Sequence, residues 1–491
     1  MRVIKKIDKT TWLLLAVAAI FILLSSYQIN RPFIGYHDFN NGFWGTFAKN
    51  NIRYGLQTHF ALVANPEITS PQNLSYYLNH PWLTSLPLSI SYLLFGANEI
   101  STRLVPLAFS LGTLFLIYLL GKKLFNRGTG LLAASLYTLL PIDLYFGKMM
   151  YDPLVLFFIL LALFFYLDWQ KTKQNRSELF FWLSLIISLL MDWPAYFVIP
   201  VIFLHFLIYN KIKNNFGFPI KLLGLPLVIL VATLANFYFL AQSLDYLWQA
   251  FAFRLGNNLT WLNFLDSYFT EATNNFTTII LIATLHWFIF FSINALKSKS
   301  WSQIKNEYSG DLFLLLLLLF GVSYNLVFKS YVLIHQFLQI YLVPFVVLAT
   351  ARIIYWLLGQ IKKMPHYKNL YLVLISLALI LFLSQSYGEL SKLYQHKNLT
   401  AQDIKTAKLI NQELKTDQII ATDVKKLINL QEINFYTERR IQLIEPGELD
   451  QPNNDKIALL ISNNPKVINK SCPVLDQKLL NYKIYDLRNC D

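Results

Sequence analysis

The chain has 491 residues, 55% of them hydrophobic and 16% aromatic but only 14% charged, with 42 Lys and Arg against 28 Asp and Glu. Soluble chains are about 45–50% apolar and about 25% charged, and here the apolar residues gather in about a dozen nearly uncharged blocks, each close to the ~20 residues that carry a helix across a ~30 Å hydrocarbon core. Such a composition excludes a soluble enzyme, a disulfide-built secreted domain and a disordered chain, and the lack of strict polar alternation excludes an outer-membrane barrel.

Taken in chain order, Thr11 to Tyr27 follows the basic start Arg2, Lys5, Lys6 and Lys9 and reads as the first span. Its exit, Ser25-Ser26-Tyr27-Gln28, lacks a small-x-small cleavage site, which weighs against a signal peptide. An outward polar loop over residues 30–80 follows. It contains a predicted helix from Asn41 to Tyr54 with Phe43, Trp44 and Phe47 on one face, the pattern of a helix lying in the membrane interface. Pro81 to Phe95 is apolar but short and holds Pro87, so it reads as re-entrant or interfacial. Further spans are predicted at residues 103–121, 129–147, 153–169, 178–191, 194–209, 219–240, 276–296, 311–328, 333–357 and 368–387, which makes eleven with the first. Between two of them a second outward loop, 242–275, carries Trp248, Arg254, Trp261 and Phe264, suited either to closing over a ligand or to an interfacial aromatic belt.

From Gly388 onward the composition turns charged and Asn-rich. Gln402 to Leu414 reads as a helix, and Gln418 to Thr422, Lys456 to Ser462 and Lys483 to Leu487 as short strands; about 100 residues bury a modest core. The expected architecture is an all-α polytopic membrane domain over 1–387 with a small extracytoplasmic α/β domain over 388–491. Both cysteines, Cys472 and Cys490, lie in this tail, where an oxidising compartment allows a disulfide and two separate thiols fit the sequence equally.

A net charge of +14 invites a nucleic-acid reading, but the positions of the charges decide otherwise. With the N-terminus cytoplasmic, the inward loops hold 20 of the 42 Lys and Arg and the outward loops of the membrane part hold 7. The tail holds the other 15, nearly cancelled by 14 acids. The excess is the positive-inside bias that sets orientation, and no nucleic-acid partner is needed. The N-terminus is expected inside and the tail outside, in a prokaryotic plasma (inner) membrane.

Ionisable groups at membrane depth are costly and tend to be functional. On this threading several meet at the outward face, from four separate outward turns: Asp38, His80, Asp152, Asp192 and His335. Asp152 before Pro153 and Asp192 before Trp193-Pro194 also have the form of helix caps. Asp143, inside a predicted span, is expected to pair with Lys148 and is given no role. Carboxylates and cations at the lipid–water boundary suit a substrate with an anionic, lipid-linked head group. An acid takes a proton from an attacking hydroxyl, and a cation meets a departing phosphate.

In its ordered motifs the chain resembles the GT-C superfamily of integral-membrane glycosyltransferases, on the branch of the protein O-mannosyltransferases and the lipid A aminoarabinose transferase (family 39-like). The resemblance runs over roughly residues 10–360. It rests on the early acid Asp38, His80-Pro81-Trp82-Leu83, Phe95-Gly96, Arg103-Leu104, Gly121-Lys122-Lys123-Leu124-Phe125, Tyr151-Asp152-Pro153-Leu154, and His335 before Tyr341-Leu342-Val343-Pro344. In the tail, Phe435-Tyr436 and Arg439-Arg440 extend it. The resemblance implies transfer of a sugar from a polyprenyl-phosphate donor to an acceptor protein, glycan or lipid at the outer face, with inversion. It implies Asp38 as base or acceptor-orienting carboxylate and Asp152 as a second carboxylate. His80, His335, Lys148 and Lys329 would serve the donor phosphate, with Asp192 and Arg254 accessory. Many relatives have Asp-Glu where this chain has Asp38-Phe39, so a divalent cation (Mg or Mn) held by Asp38 and Asp152 stays open. The alternative function is a transporter or flippase of a lipid-linked or polar solute; the internal repeats expected of one are not seen in the sequence.

Overall fold

The computed structural model describes residues 8–55, 59–149, 151–210, 216–256, 259–363, 367–415, 418–445, 457–464 and 472–489. Among these residues, seven helices are long and apolar enough to cross a membrane: Glu99–Leu124, Tyr151–Thr172, Gly217–Ala241, Thr278–Lys297, Ser309–Val327, Gln336–Ile361 (its first turns 3-10) and Asn369–Gln395. The other four predicted spans are helical too, but shorter or interrupted. Lys9–Ser25 and Asn175–Met191 have 17 residues each. The block 129–147 breaks into Arg127–Tyr137 and Pro141–Phe146, and the block 194–209 opens as the 3-10 turn Trp193–Phe197 before the helix Val198–Tyr209. Proline explains both breaks: without an N–H, and clashing with the preceding turn, it begins a helix more readily than it continues one.

The chain divides into two compact units. The first comprises residues 1–27, 79–84 and 106–392, the second residues 28–78, 85–105 and 393–491. The smaller unit thus joins the chain from Leu393 onward to two earlier segments, one of which ends just before Pro106. The division at Val105 falls inside the helix Glu99–Leu124.

In the first unit the segment Gln336–Ile361 is the most enclosed, 89% of its apolar window being buried. Its helical part packs against Arg127–Tyr137, Thr278–Lys297 and Ser309–Val327. By contrast Asn369–Gln395 is only 11% buried and Thr278–Lys297 17%; helices so apolar all round yet so little covered by protein are suited to lipid. Small residues bring backbones close: a Cβ on Gly121 would lie 2.7 Å from Gly130 Cα. A polar clamp holds the spans as well, since Trp287 Nε1 donates to buried Asp311 at 2.8 Å and Arg352 lies 3.5 Å from the same oxygen.

The second unit contains a five-stranded sheet. Its strands are β3 (Ile419–Thr422), β4 (Ile441–Leu443), β5 (Ile457–Ser462), β6 (Val474–Leu479) and β7 (Tyr482–Asp486); β1 (Leu62–Val63) and β2 (Tyr76–Tyr77) form a separate antiparallel ladder. The sheet order is β4-β3-β5-β7-β6, with β4, β3 and β5 parallel and β7 antiparallel to both of its neighbours, β5 and β6. Every residue of central β5, Ile-Ala-Leu-Leu-Ile-Ser, is buried, as a strand covered on both faces requires. The helix Ala401–Glu413 starts on a reciprocal capping box between Thr400 and Asp403, which satisfies two otherwise orphaned donors.

One expectation is corrected here. The helix at 41–54 forms, as Phe39–Tyr54, but its aromatic face does not lie open for a membrane interface: Trp44 and Phe47 are 1% exposed. Leu86–Phe95 and Gln431–Thr437 pack against it. A Cβ on Gly45 would come within 2.7 Å of the Phe435 ring and the Tyr92 hydroxyl, so glycine is what allows the approach. Beside it Lys49 Nζ lies 2.6 Å from Glu438 and 3.6 Å from the Phe435 ring centre, and Arg53 pairs with the same glutamate. An amphipathic pattern specifies an apolar face and not what covers it. Whether Cys472 pairs with Cys490, left open by the sequence, lies outside the described residues, because Cys490 does.

Candidate functional site

Within the first unit, side chains from five separate segments join into one buried network. His80, in the loop after residue 78, places Nδ1 2.6 Å from Asp192 Oδ1. Its Nε2 accepts a hydrogen bond from Arg254 Nη2 at 3.1 Å. Arginine has donors only, so Nε2 carries the lone pair, and the ring proton sits on Nδ1 and is donated to Asp192. Burial pushes the His80 imidazole below its ordinary pKa; Asp192 works against that and Arg254 adds to it. Asp192 keeps the capping role read from its sequence as well, accepting from the Trp193 N–H at 2.8 Å. The loop is pinned further by Trp193 Nε1, which donates to the Asn79 carbonyl at 2.7 Å, and by Thr84 Oγ1, which donates to the Met191 carbonyl at 2.6 Å.

Aromatic side chains extend this chain. The Tyr151 ring lies 5.5 Å from His80, and its hydroxyl is 3.2 Å from that of Tyr331. Arg254 stands over the Tyr331 ring at 4.8 Å, and the His335 ring centre is 4.5 Å from that of Tyr331, edge to face. Asp152, the second residue of Tyr151–Thr172, is 4% exposed and accepts a hydrogen bond from Tyr341 at 3.0 Å. His80, Asp152, Asp192, Arg254 and His335 therefore share one neighbourhood. Arg254 arrives on the helix Asp245–Leu255, part of the predicted 242–275 loop, which folds as that helix and Trp261–Phe276. Trp248 and Trp261 of the same loop remain more than half exposed, whereas Phe264 is buried.

The two lysines are held elsewhere in this unit. Lys148 Nζ donates to the carbonyls of Tyr27 at 2.6 Å and Ser25 at 3.3 Å, at the C-terminal end of Lys9–Ser25, where free carbonyls welcome a cation. It does not form the expected ion pair with Asp143, neither of whose buried carboxylate oxygens has a hydrogen-bond partner among the described residues. Lys329 stacks its ammonium 4.1 Å from the Trp261 ring centre.

Asp38 belongs to the second unit. By position it is the N-cap of Phe39–Tyr54, yet its side chain makes no capping bond. Instead the carboxylate is met by four donors. Oδ1 accepts from Arg103 Nη2 at 3.0 Å and Asn41 Nδ2 at 2.8 Å, and Oδ2 accepts from the Gly35 N–H at 2.8 Å and Arg31 Nη2 at 3.3 Å. The group is 1% exposed. Burial opposes its ionisation, but Arg103 and Arg31 outweigh burial and hold the carboxyl below the usual carboxylate range. Arg103 is itself locked, donating to the carbonyls of Ile29 and Arg31 with its guanidinium 5.1 Å from the Phe33 ring. A carboxylate with its lone pairs so occupied does not fit a divalent cation. Among the described residues no group of three or more His, Cys, Asp and Glu side chains is placed to hold a metal.

Sequence reasoning assigned no role to Arg31, Arg103, Tyr151, Tyr331 or Tyr341. Arg103 carried a signal, being a lone cation opening an otherwise uncharged block. The tyrosines carried none, because tyrosine is ordinary in aromatic-rich spans.

Comparison with known proteins agrees with this architecture. Residues 79–239 match the model of the dolichyl-phosphate-mannose-protein mannosyltransferase family. An uncharacterized protein of Aquifex aeolicus is 28% identical over 183 residues, which is 36% of this chain and 36% of that protein, so the match spans about a third of the relative. ArnT from Cupriavidus metallidurans, in a crystal structure bound to undecaprenyl phosphate, superposes with a TM-score of 0.63 at 12% identity, over 97% of this chain and 98% of its own. The oligosaccharyltransferase of Archaeoglobus fulgidus gives a TM-score of 0.61 at 12% identity, over 92% of this chain and 69% of its own. At such identity the likeness is one of fold. The chain is a multi-pass membrane protein whose fold is that of ArnT and the archaeal oligosaccharyltransferase, and its residues 79–239 resemble the dolichyl-phosphate-mannose-protein mannosyltransferases.

Proposed function

We propose that the protein transfers a sugar from a polyprenyl-phosphate donor to an acceptor hydroxyl at the outer face of a prokaryotic plasma membrane. The observation that carries this reading is the buried chain from Asp192 through His80 to Arg254. It presents a guanidinium, the group best matched to phosphate oxygens, in an apolar unit where a fixed cation stabilises a developing anion more than it does in water. In this reading Arg254 meets the donor phosphate, assisted by His335, whose ring lies against that of Tyr331. The acceptor oxygen forms a bond to the anomeric carbon as the bond to the phosphate oxygen breaks. The electron pair leaves with polyprenyl phosphate, and the configuration inverts.

Asp38 is the proposed acceptor-side carboxylate. Its longest hydrogen bond, to Arg31 at 3.3 Å on Oδ2, is the one an acceptor hydroxyl replaces most readily. A carboxylate kept weakly basic by two arginines takes the hydroxyl proton late, once the new C–O bond has made it acidic. Phosphate is a good leaving group, so orientation matters more than strong base catalysis.

Orientation with the N-terminus inside and the C-terminal domain outside is supported by the 20 to 7 division of basic residues between inward and outward loops. Purified protein in proteoliposomes, supplied with radiolabelled polyprenyl-phosphate sugars, tests the proposal. It predicts polyprenyl phosphate released in step with sugar incorporated into an acceptor. Intact solute accumulating in the lumen without donor cleavage contradicts it and supports a transporter.

A further inference from the structure

We propose that the second unit carries a binding site for an anionic saccharide beside the Asp38 loop, and that this saccharide is part of the acceptor; the second half of the claim rests on the transferase reading. A cleft of about 400 Å³ is lined by Phe39, Lys397, Asn398, Lys426, Asn429 and Glu432. Its chemistry is mixed in a particular way. Lys397 and Lys426 supply two exposed cations, neither in an ion pair among the described residues. Asn398 and Asn429 bring amides, and Phe39 an apolar ring face. Glu432 is 1% exposed, and its Oε2 has no hydrogen-bond partner among the described residues.

A buried carboxylate oxygen left without a donor is costly and calls for one from a ligand. A sugar hydroxyl is such a donor, and the amides and the ring face serve the rest of a pyranose. The two lysines then require an anionic group, a carboxylate or a phosphate. Burial, followed by the charge of Asp38, raises the Glu432 carboxyl to about 7, so the group accepts from a hydroxyl or donates to one near neutral pH.

The cleft is tied to Asp38 by backbone. Phe39 follows Asp38 directly, and Asn398 donates through its N–H to the Ile34 carbonyl at 2.8 Å and through Nδ2 to the Gly35 carbonyl at 3.3 Å. Gly35, whose N–H holds Asp38, also bridges Lys397. A saccharide seated there lies against the loop that fixes the proposed acceptor-side carboxylate.

Calorimetric titration of the full chain in detergent, with glucuronate, glucose 6-phosphate, glucose and inorganic phosphate, tests the proposal. Saturable binding of glucuronate or of glucose 6-phosphate, at least tenfold tighter than glucose and inorganic phosphate, is expected, and the tighter of the two identifies the anion. A Lys397→Gln/Lys426→Gln double variant, altered at exposed positions, is expected to lose at least tenfold in affinity with its thermal unfolding unchanged. Absence of saturable binding by both anionic sugars, equal binding of inorganic phosphate, or undiminished affinity in the double variant overturns the site. Donor turnover is measured separately: saccharide binding by a protein that turns over no lipid-linked donor overturns the acceptor assignment and leaves the binding site standing.

Discussion

His80 and Asp192 are 112 positions apart in the chain, yet their side chains meet at 2.6 Å, and the second ring nitrogen of His80 receives Arg254. The imidazole is thus a rigid spacer that transmits the position of Asp192 to a guanidinium. His80→Gln keeps an acceptor and a donor near the two ring nitrogens, whereas His80→Ala keeps neither. A lost buried hydrogen bond costs about 1–3 kcal/mol, so His80→Ala is expected to raise the KM for the donor about 10- to 100-fold, with His80→Gln in between. Asp192→Asn should act in the same direction. Steady-state kinetics at fixed acceptor, separating KM from kcat, read these effects.

Asp38 titrates below an ordinary carboxylate because Arg103 and Arg31 outweigh its burial. Its unfolded pKa is the higher one, so the stabilisation is complete above the unfolded value near 4 and is lost as pH falls through the folded value. Arg103→Ala removes the closer of the two guanidinium groups from a buried carboxylate. A cost of about 3–5 kcal/mol is expected, measured as a loss of folded protein or a large fall in Tm. Arg31→Ala, at the longer contact, should be milder, and its mark is the pH profile: the Asp38 pKa rises, so the acid limb of the transfer rate moves to higher pH.

Glu432 has the opposite sign. Its carboxyl is raised to about 7 in the fold, by burial and then by the charge of Asp38, so the folded state binds the extra proton. Stability is therefore greatest below the unfolded pKa of about 4.5 and falls as pH rises toward 7. Glu432→Gln is expected to remove this slope, leaving the variant more stable than the parent by several degrees at pH 8 and nearly equal at pH 5. Thermal unfolding followed by tryptophan fluorescence across that range checks it.

Gly45 offers a packing test. The methyl of Gly45→Ala meets the Phe435 ring and the Tyr92 hydroxyl at 2.7 Å. Overpacking of this kind costs about 1–3 kcal/mol, to be read as a lower midpoint in denaturant or heat.

Legibility in the sequence followed the range of the forces involved. Spans were readable because a bilayer demands apolar length locally, and their interruptions at Pro141 and Pro194 follow from proline's own geometry. Strands β4, three residues Ile-Gln-Leu, and β6, whose Val-Leu-Asp-Gln-Lys-Leu does not alternate apolar with polar, left too little local pattern to find. The buried helix Phe39–Tyr54 read as interfacial because lipid and protein select the same apolar face. Candidate residues stood out in the sequence where an ionisable group interrupts an apolar block, as with His80, Asp152 and Arg254. Their linkage was not legible: which nitrogen of His80 meets which partner, and that four donors close around Asp38, arise from contacts across long stretches of chain that no periodicity encodes.

The central claim is that Arg254 carries the charge of a lipid-linked phosphate. Its most direct test is the turnover of a radiolabelled polyprenyl-phosphate sugar by wild-type protein beside Arg254→Lys and Arg254→Ala, each checked for unchanged thermal stability. The account predicts sugar transfer by the wild type, a fall of about tenfold in the lysine variant, which keeps the charge but loses the fork, and of about a hundredfold or more in the alanine variant. Transfer by Arg254→Ala at the wild-type rate, or a wild type that releases no polyprenyl phosphate from any such donor, would contradict it.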